Sequence, residues 1–252
     1  MTINAPTSAN IPELRRLWQQ AFGDTDAFLD SFFTIAFAPD RCRCVYESGQ
    51  LAAALYWFDC SYDGQKIAYL YAVATDKAYQ NRGMCRALMT DTHAHLAALG
   101  YASVMLVPGS EALFALYEKL GYRTATTVGA FTCSAGAAPA AVRRVGAKEY
   151  AALRRKLLPP GSVVQEGAAL ALLEAQDALY AGESFLFVAA QNGEELVCSE
   201  LLGPAEDAPA ILAAFGAARG SFRIPDGTIP FAMYLPLKDS AVPPAYFGLA
   251  LD

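Results

Sequence analysis

Apolar residues recur with a helical period at the start of the chain and with a strand period soon after. Ile11, Leu14, Leu17, Trp18, Ala21 and Phe22 fall on one helical stripe, and Asn10-Ile11-Pro12-Glu13 ahead of it reads as a capping box. Gly23-Asp24-Thr25-Asp26 interrupts that stripe. Phe28, Phe32, Phe33 and Phe37 then predict a second helix, stopped by Pro39-Asp40. From Arg43 the period drops to two. Runs at 44–47, 50–58 and 65–75 are separated by Ser48-Gly49 and Asp63-Gly64, pairs suited to two-residue hairpin turns, which predicts three antiparallel strands. A loop at 76–82 leads into a helix at 83–99, a strand at 101–107, a helix at 111–120 and a closing strand or strands at 122–133. The order strand, helix, strand predicts a right-handed crossover between parallel strands.

Residues 134–140, Ser-Ala-Gly-Ala-Ala-Pro-Ala, carry no large side chain to bury and contain both Gly and Pro. The expected division is therefore a first domain at 1–133, a linker at 134–141 and a second domain at 142–252. The second half predicts helices at 147–157 and 166–180, strands at 185–190 and 195–202, a helix at 208–218 and strands at 231–237 and 246–251. This repeats the first half's order of elements without visible sequence repetition.

Composition narrows the function classes. With 54% apolar and 17% charged residues the chain can bury enough surface to fold throughout. A net charge of -6 gives no cationic field for a polyanion, so nucleic acid is not expected as a partner. No apolar stretch reaches the roughly 18 residues of a membrane helix, and the first thirty residues have no signal-peptide pattern, so no membrane partner and a cytoplasmic location are expected. The six cysteines include no C-x-x-C pair. Cys42 and Cys44 belong on one face of a strand, while His93 and His95 diverge on a helix, so no metal site is expected.

The segment from Tyr71 to Leu88 carries the chemistry. A strand feeds a short loop whose N–H groups, with those of the next helix's first turn, converge on one concavity. Arg82 and Arg86 lie in that turn, and Gly83 has no side chain to hold a phosphate away from the amides, so a pyrophosphate suits it. It is not a Walker loop, since no Gly-Lys-Ser/Thr follows, nor a dinucleotide fingerprint, since one of the needed glycines alone is present.

Gln80-Asn81-Arg82-Gly83-Met84-Cys85 resembles the Gln/Arg-x-x-Gly-x-Gly/Ala signature of the GNAT acetyltransferase superfamily, and Val73-Ala74-Thr75 leads into it as in the enhanced-intracellular-survival-like branch. Residues 110–122, including Leu116-Tyr117-Glu118-Lys119-Leu120-Gly121-Tyr122, resemble the superfamily's second hallmark. The resemblance covers residues 1 to 133. It implies an α/β (α+β) protein of two GNAT-like domains, each a mixed, mostly antiparallel sheet flanked by helices, the second being a degenerate copy without a CoA motif. It also implies acetyl-CoA as cosubstrate, with its pyrophosphate on Gln80, Asn81, Arg82, Gly83, Met84, Cys85 and Arg86, and its pantetheine along Val73, Ala74 and Thr75. Ser110 stands at the second motif's binding position. Acetyl would pass directly to a primary amine, with Tyr117 protonating the departing thiolate.

This chain departs from the pattern at three positions: Cys85 for a small Gly or Ala, Lys77 where Pro is common, and Ser110 where Asn is common. The strand at 65–75 holds no Glu to serve as general base, so deprotonation of the amine is expected to run through water. Tyr117 also falls on the stripe Leu113, Leu116, Tyr117, Leu120, the pattern of a core tyrosine. Tyr56, Trp57, Tyr69 and Tyr71 read as cross-strand packing, and Asp59 and Asp63 as hairpin-turn residues. The alternative to an N-acetyltransferase is a non-catalytic CoA-binding or interaction protein that keeps the fold. Aminoacyl transfer from tRNA is disfavoured by the acidic charge.

Overall fold

The computed structural model describes residues 1–251. In chain order the elements are β1 (Thr2–Asn4), α1 (Ile11–Phe22), α2 (Asp26–Ser31), β2 (Cys42–Glu47), β3 (Gln50–Tyr62), β4 (Gln65–Thr75), α3 (Met84–Ala98), β5 (Ser103–Leu106), α4 (Glu111–Glu118), β6 (Arg123–Thr124) and β7 (Thr127–Ser134). They continue with β8 (Arg143–Arg144), α5 (Ala147–Leu157), β9 (Val164–Gln165), α6 (Ala168–Ala175), β10 (Leu179–Ala181), β11 (Leu186–Asn192), β12 (Glu195–Leu202), α7 (Ala208–Phe215), β13 (Arg219–Pro230) and β14 (Met233–Pro236). Among the described residues no helix is long and apolar enough to cross a membrane.

Two compact units result, but not at the expected boundary. Unit 1 takes Met1–Cys60, Gly64–Arg123 and Met233–Val242; unit 2 takes Ser61–Asp63, Thr124–Ala232 and Pro243–Asp252. Two expectations fail together. Residues 127–133, read as closing the first domain, lie in β7 and pair antiparallel with β13 in the second sheet. Residues 233–236, read as part of the second domain, form β14 and pair antiparallel with β5 in the first sheet, from Met233↔Leu106 to Pro236↔Ser103. Each is a short apolar run bounded by turns, and nothing in its own pattern says which sheet it joins. The Ala/Gly/Pro stretch at 134–141 is a connection inside unit 2, where the Gly136 and Ala140 N–H groups bond to the carbonyls of Pro209 and Ala210.

In unit 1 the strands run in the order β1-β2-β3-β4-β5-β14. The first hairpins turn where expected, at Ser48-Gly49 (φ 50° and 78°) and Asp63-Gly64 (φ 48° and 70°), the paired positive φ values of a two-residue turn. The parallel β4–β5 pair is bridged by α3. One face of the sheet buries Val45, Leu55, Trp57, Leu70 and Val104 with Leu88, Met89 and Leu96 of α3. An aromatic cluster of Trp18, Phe32, Phe33, Tyr56 and Tyr71 joins α1 and the second helix to the strands. That second helix is α-helical through Ser31 and then widens to a π-helix at Phe32–Ala36, closed by the Phe37 N–H on the Phe32 carbonyl. The Asn10 side chain does not cap α1. It accepts the Thr7 N–H at 2.9 Å instead, so the capping interaction lies one turn earlier.

Unit 2 has the sheet order β7-β13-β12-β11-β10-β8, with α7 bridging the parallel β12–β13 pair. Phe187, Leu196, Leu201, Ile211, Leu212 and Phe222 form its core. Three further expectations are corrected. The helix read at 166–180 stops at Ala175, because Asp177 turns left-handed (φ 57°) and the Ala178 and Asp177 N–H groups bond back to Leu173 and Glu174, freeing Leu179–Ala181 for β10. Residues 219–230, whose Gly and Pro content masked a strand, form β13. Its register breaks between Ile224 and Ile229, where Gly129 and Gly227 lie so close that a Cβ on either would meet backbone at 2.2–2.3 Å. Residues 246–251 form no strand beyond a single bridge between Ser162 and Tyr246.

Candidate active site

The site begins with a strand, β4, whose far part has a partner on one side only. Toward β3, β4 is hydrogen-bonded to its end, where the Asp76 N–H meets the Ala52 carbonyl at 2.9 Å. Toward β5 the parallel register covers three pairs, Ile67↔Ser103, Ala68↔Val104 and Tyr69↔Met105, although β4 runs on to Thr75. Past Tyr69 the backbone edge is left without a strand. Ala72 sits there with φ 49°, a left-handed conformation that costs a non-glycine residue about 1–2 kcal/mol. Val73, Ala74 and Thr75 follow this kink, Ala74 buried and the others half-buried. An extended, amide-bearing chain can add to such an edge as another strand would.

The edge leads into the turn. Asp76, buried, accepts the Ala78 N–H at 2.9 Å and the Arg16 guanidinium at 3.2 Å, which fixes the turn's entry. The Gln80 amide reaches back to the Thr75 carbonyl at 3.3 Å. Asn81 (φ 59°) and Gly83 (φ 78°) both turn left-handed, and Gly83 is the N-cap of α3. A Cβ on Gly83 would meet nothing within 4 Å, so the backbone conformation, not crowding, is what calls for glycine here. The first turn of α3 carries no acidic residue and no side-chain cap, leaving its N–H groups and partial positive charge uncompensated. Arg82 is half-exposed, lies over the Tyr79 ring at 5.2 Å, and has Glu47 3.9 Å away. Arg86 is exposed and has no ion-pair partner among the described residues.

Met84 and Cys85 turn inward. Met84 is buried, and Cys85, a departure from the motif, packs half-buried against the cluster that contains Tyr117. Burial pushes the Cys85 thiol above its ordinary range, which keeps it neutral. Ser110 is the N-cap of α4 by backbone geometry, but its hydroxyl makes no capping bond.

Tyr117 owes its position to the end of α4. The Tyr122 N–H bonds to the Tyr117 carbonyl at 3.1 Å and the Gly121 N–H to the Glu118 carbonyl at 2.9 Å, with Gly121 at φ 93°: a Schellman motif. The contact that accompanies this motif is the edge-on packing of Tyr122 against Tyr117, centroids 5.8 Å apart. The run from Tyr117 to Tyr122 is thus the sequence of one helix cap. The Tyr117 ring belongs to the core, while its hydroxyl has no hydrogen-bond partner among the described residues and is not sealed off. Burial, with the Cys85 thiol adding to it, pushes that hydroxyl well above the usual tyrosine range and keeps it protonated at neutral pH.

Other residues are taken up structurally. Asp59 lies within β3, not in the hairpin turn. Burial pushes its carboxyl up, but hydrogen bonds from Tyr101 and from Arg41 (2.8 and 2.9 Å) outweigh that and hold it below the ordinary carboxylate range. Tyr56 packs against Trp18 and Phe32, while Trp57 donates to the Tyr101 hydroxyl at 3.1 Å. Cys42 and Cys44 share a face, sulfurs 3.8 Å apart and both buried. The helical period places His93 on α3 but gives it no partner. It lies 2.7 Å from the Tyr122 hydroxyl, a pairing that no local sequence signal announces.

This architecture recurs in solved structures. A GCN5-related N-acetyltransferase from Anabaena variabilis superposes with a TM-score of 0.72 at 15% identity over 94% of this chain and 73% of its own. One from Kribbella flavida gives 0.67 at 18% over 94% and 72%, and Eis1 from Mycobacterium abscessus gives 0.67 at 14% over 94% and 74%. A search of curated proteins finds no match. The fold, two mixed sheets each with a parallel pair bridged by a helix, is that of the GCN5-related N-acetyltransferases. The family model described as "Acetyltransferase (GNAT) domain" matches residues 2–125, so this part of the chain carries a GNAT domain.

Proposed function

We propose that the protein is an acetyl-CoA-dependent N-acetyltransferase whose reaction is carried by unit 1. One observation carries this reading: the strandless edge of β4 runs directly into a backbone anion turn flanked by Arg82 and Arg86. Pantetheine amides would pair along Val73 to Thr75 and the pyrophosphate would rest on the turn from Gln80 to Arg86. The amine nitrogen attacks the thioester carbonyl, the C–S bond breaks, Tyr117 gives its proton to the sulfur, and the amine's surplus proton passes to water, from which Tyr117 is reprotonated. Tyr117 suits this step because its hydroxyl is protonated and otherwise uncommitted. A cytoplasmic protein with a primary-amine acceptor follows from the same reading.

The absence of any carboxylate on β4 favours a second reading, a CoA-binding protein without turnover. Thiol release from acetyl-CoA across polyamines, aminoglycosides, amino acids and peptide N-termini separates the two. Turnover supports the enzyme, and CoA binding with no amine turned over supports the second reading. Calorimetry tests the site itself: Arg82→Glu is expected to weaken CoA binding roughly ten- to a hundredfold, more at low salt. Well-folded protein that binds no CoA overturns both readings.

A further inference from the structure

The Schellman cap that sets Tyr117 is itself tied to the helix that carries the anion turn. His93 lies on α3, and its Nε2 is 2.7 Å from the Tyr122 hydroxyl, with ring centroids 5.5 Å apart. Tyr122 is buried and packs edge-on against Tyr117 at an interplanar angle of 63°. A phenylalanine at 122 would supply the ring for that packing without the hydroxyl, so the hydrogen bond does something the cap alone does not need. It links two elements that the site requires in fixed register: α3, whose N-terminus receives the pyrophosphate, and α4, whose last turn holds Tyr117.

We propose that His93 is a positioning residue for Tyr117, acting through Tyr122, so that the proton donor is held against the thioester of a cosubstrate anchored on α3. This rests on the reading of Tyr117 as the donor. The imidazole is half-buried in the structure, and that burial lowers its pKa to about 4, so near neutral pH it is uncharged and hydrogen-bonds to the Tyr122 hydroxyl. Either ring nitrogen can carry the proton, because the phenol both donates and accepts. When the link is cut, the Tyr122 ring keeps its place in the core but loses its fixed depth, and the donor's alignment with the sulfur loosens. A donor even slightly out of line lowers the chemical step while leaving the distant pyrophosphate contacts intact.

The test is a set of variants assayed by thiol release with the best amine of the panel, alongside CoA affinity and thermal midpoint. Tyr122→Phe and His93→Leu should each lower kcat about three- to tenfold with KM for acetyl-CoA unchanged, the size expected for one hydrogen bond. The double variant should be no worse than either single one, and His93→Gln, which can still bond to the phenol, should recover most of the loss. In a Tyr117→Phe background, His93→Leu should have no further effect on kcat. Normal kcat in Tyr122→Phe and His93→Leu beside an impaired Tyr117→Phe overturns the positioning role alone. So does a loss that persists undiminished in the Tyr117→Phe background, which would mark a general structural defect. A Tyr117→Phe protein with unimpaired turnover overturns the underlying reading, and this inference with it.

Discussion

Two helix N-termini in this chain stand at equivalent places, each after a strand and before its parallel partner, and they are built to opposite effect. Helix α3 opens on a left-handed glycine with no acidic residue in its first turn and with Arg82 and Arg86 beside it. Helix α7 opens on Asp207, with Glu206 just ahead and Pro209 in its first turn, so carboxylates already face its positive end. The strands differ in the same sense. Past the last β12–β13 pair, Cys198↔Phe222, the Ser199 carbonyl accepts a hydrogen bond from Arg223 at 3.2 Å, whereas the corresponding stretch of β4 keeps an open edge. One architecture can therefore leave a helix N-terminus open or set acidic residues around it, according to a few side chains at its switch point. Binding of a single CoA per chain, in unit 1, is the expected stoichiometry; two equivalent sites in a titration would erase the contrast.

The largest effect is expected from cutting the chain where the sequence suggests. A fragment of residues 1–133 lacks β14, so β5 loses its antiparallel partner, and β7 loses the sheet it belongs to. Such a fragment should show no cooperative unfolding and no CoA binding. A folded, CoA-binding fragment would restore the expected boundary. Next comes Tyr117→Phe, which keeps the ring and should lower kcat by about 100- to 10,000-fold with CoA affinity intact, as for loss of a positioned general acid. If Tyr117 serves packing alone, kcat stays near normal and only the thermal midpoint moves.

Unit 2 offers a third test, on stability. Arg154 donates twice to Glu200 at 2.8 Å in full burial, and Tyr246 donates to the same carboxylate at 3.0 Å. Arg154→Ala leaves a buried carboxylate without its cation and should cost about 3–5 kcal/mol in denaturant unfolding. Arg155→Ala, one residue along and exposed with its partner Glu166, should cause no comparable loss. Equal effects would mean that the buried pair has no special weight.

The smallest effect is a pH dependence confined to unit 1. His93 binds its proton at about pH 4 in the folded protein and near 6.5 when unfolded, so the unfolded chain takes up more protons between those values. Its contribution is complete above pH 6.5 and is lost as the pH falls toward 4, by at most about 3 kcal/mol. Comparing His93→Leu with the parent between pH 7 and 4 isolates this slope. A parent and variant that lose stability in parallel would refute it.

What could be read from the sequence follows the range of the interactions. The hairpin turns, the left-handed turn at Asn81 and Gly83 that opens α3, and the Tyr117–Gly121–Tyr122 cap are each set by residues within about one turn of one another, and each is found where the pattern puts it. The left-handed Ala72 was invisible because alanine carries no sign of positive φ; only the failed β4–β5 pairing reveals it. Cys85 departs from the motif, and its packing against the core is not visible in the local sequence. The exchange of β7 and β14 between sheets and the His93–Tyr122 contact join residues far apart in the chain, so no window of sequence contains them.

The placement of β14 also has a consequence in time. During synthesis, everything from β1 to Arg123 leaves the ribosome about 110 residues before Met233, an interval of roughly 5–20 s at ordinary elongation rates. Throughout it, the wholly buried strand β5 would present its unpaired backbone edge to solvent, a ready template for a neighbouring nascent chain. The nascent protein would depend on chaperone cover, or on slow early chain collapse, until unit 2 has been translated and the last strand is delivered.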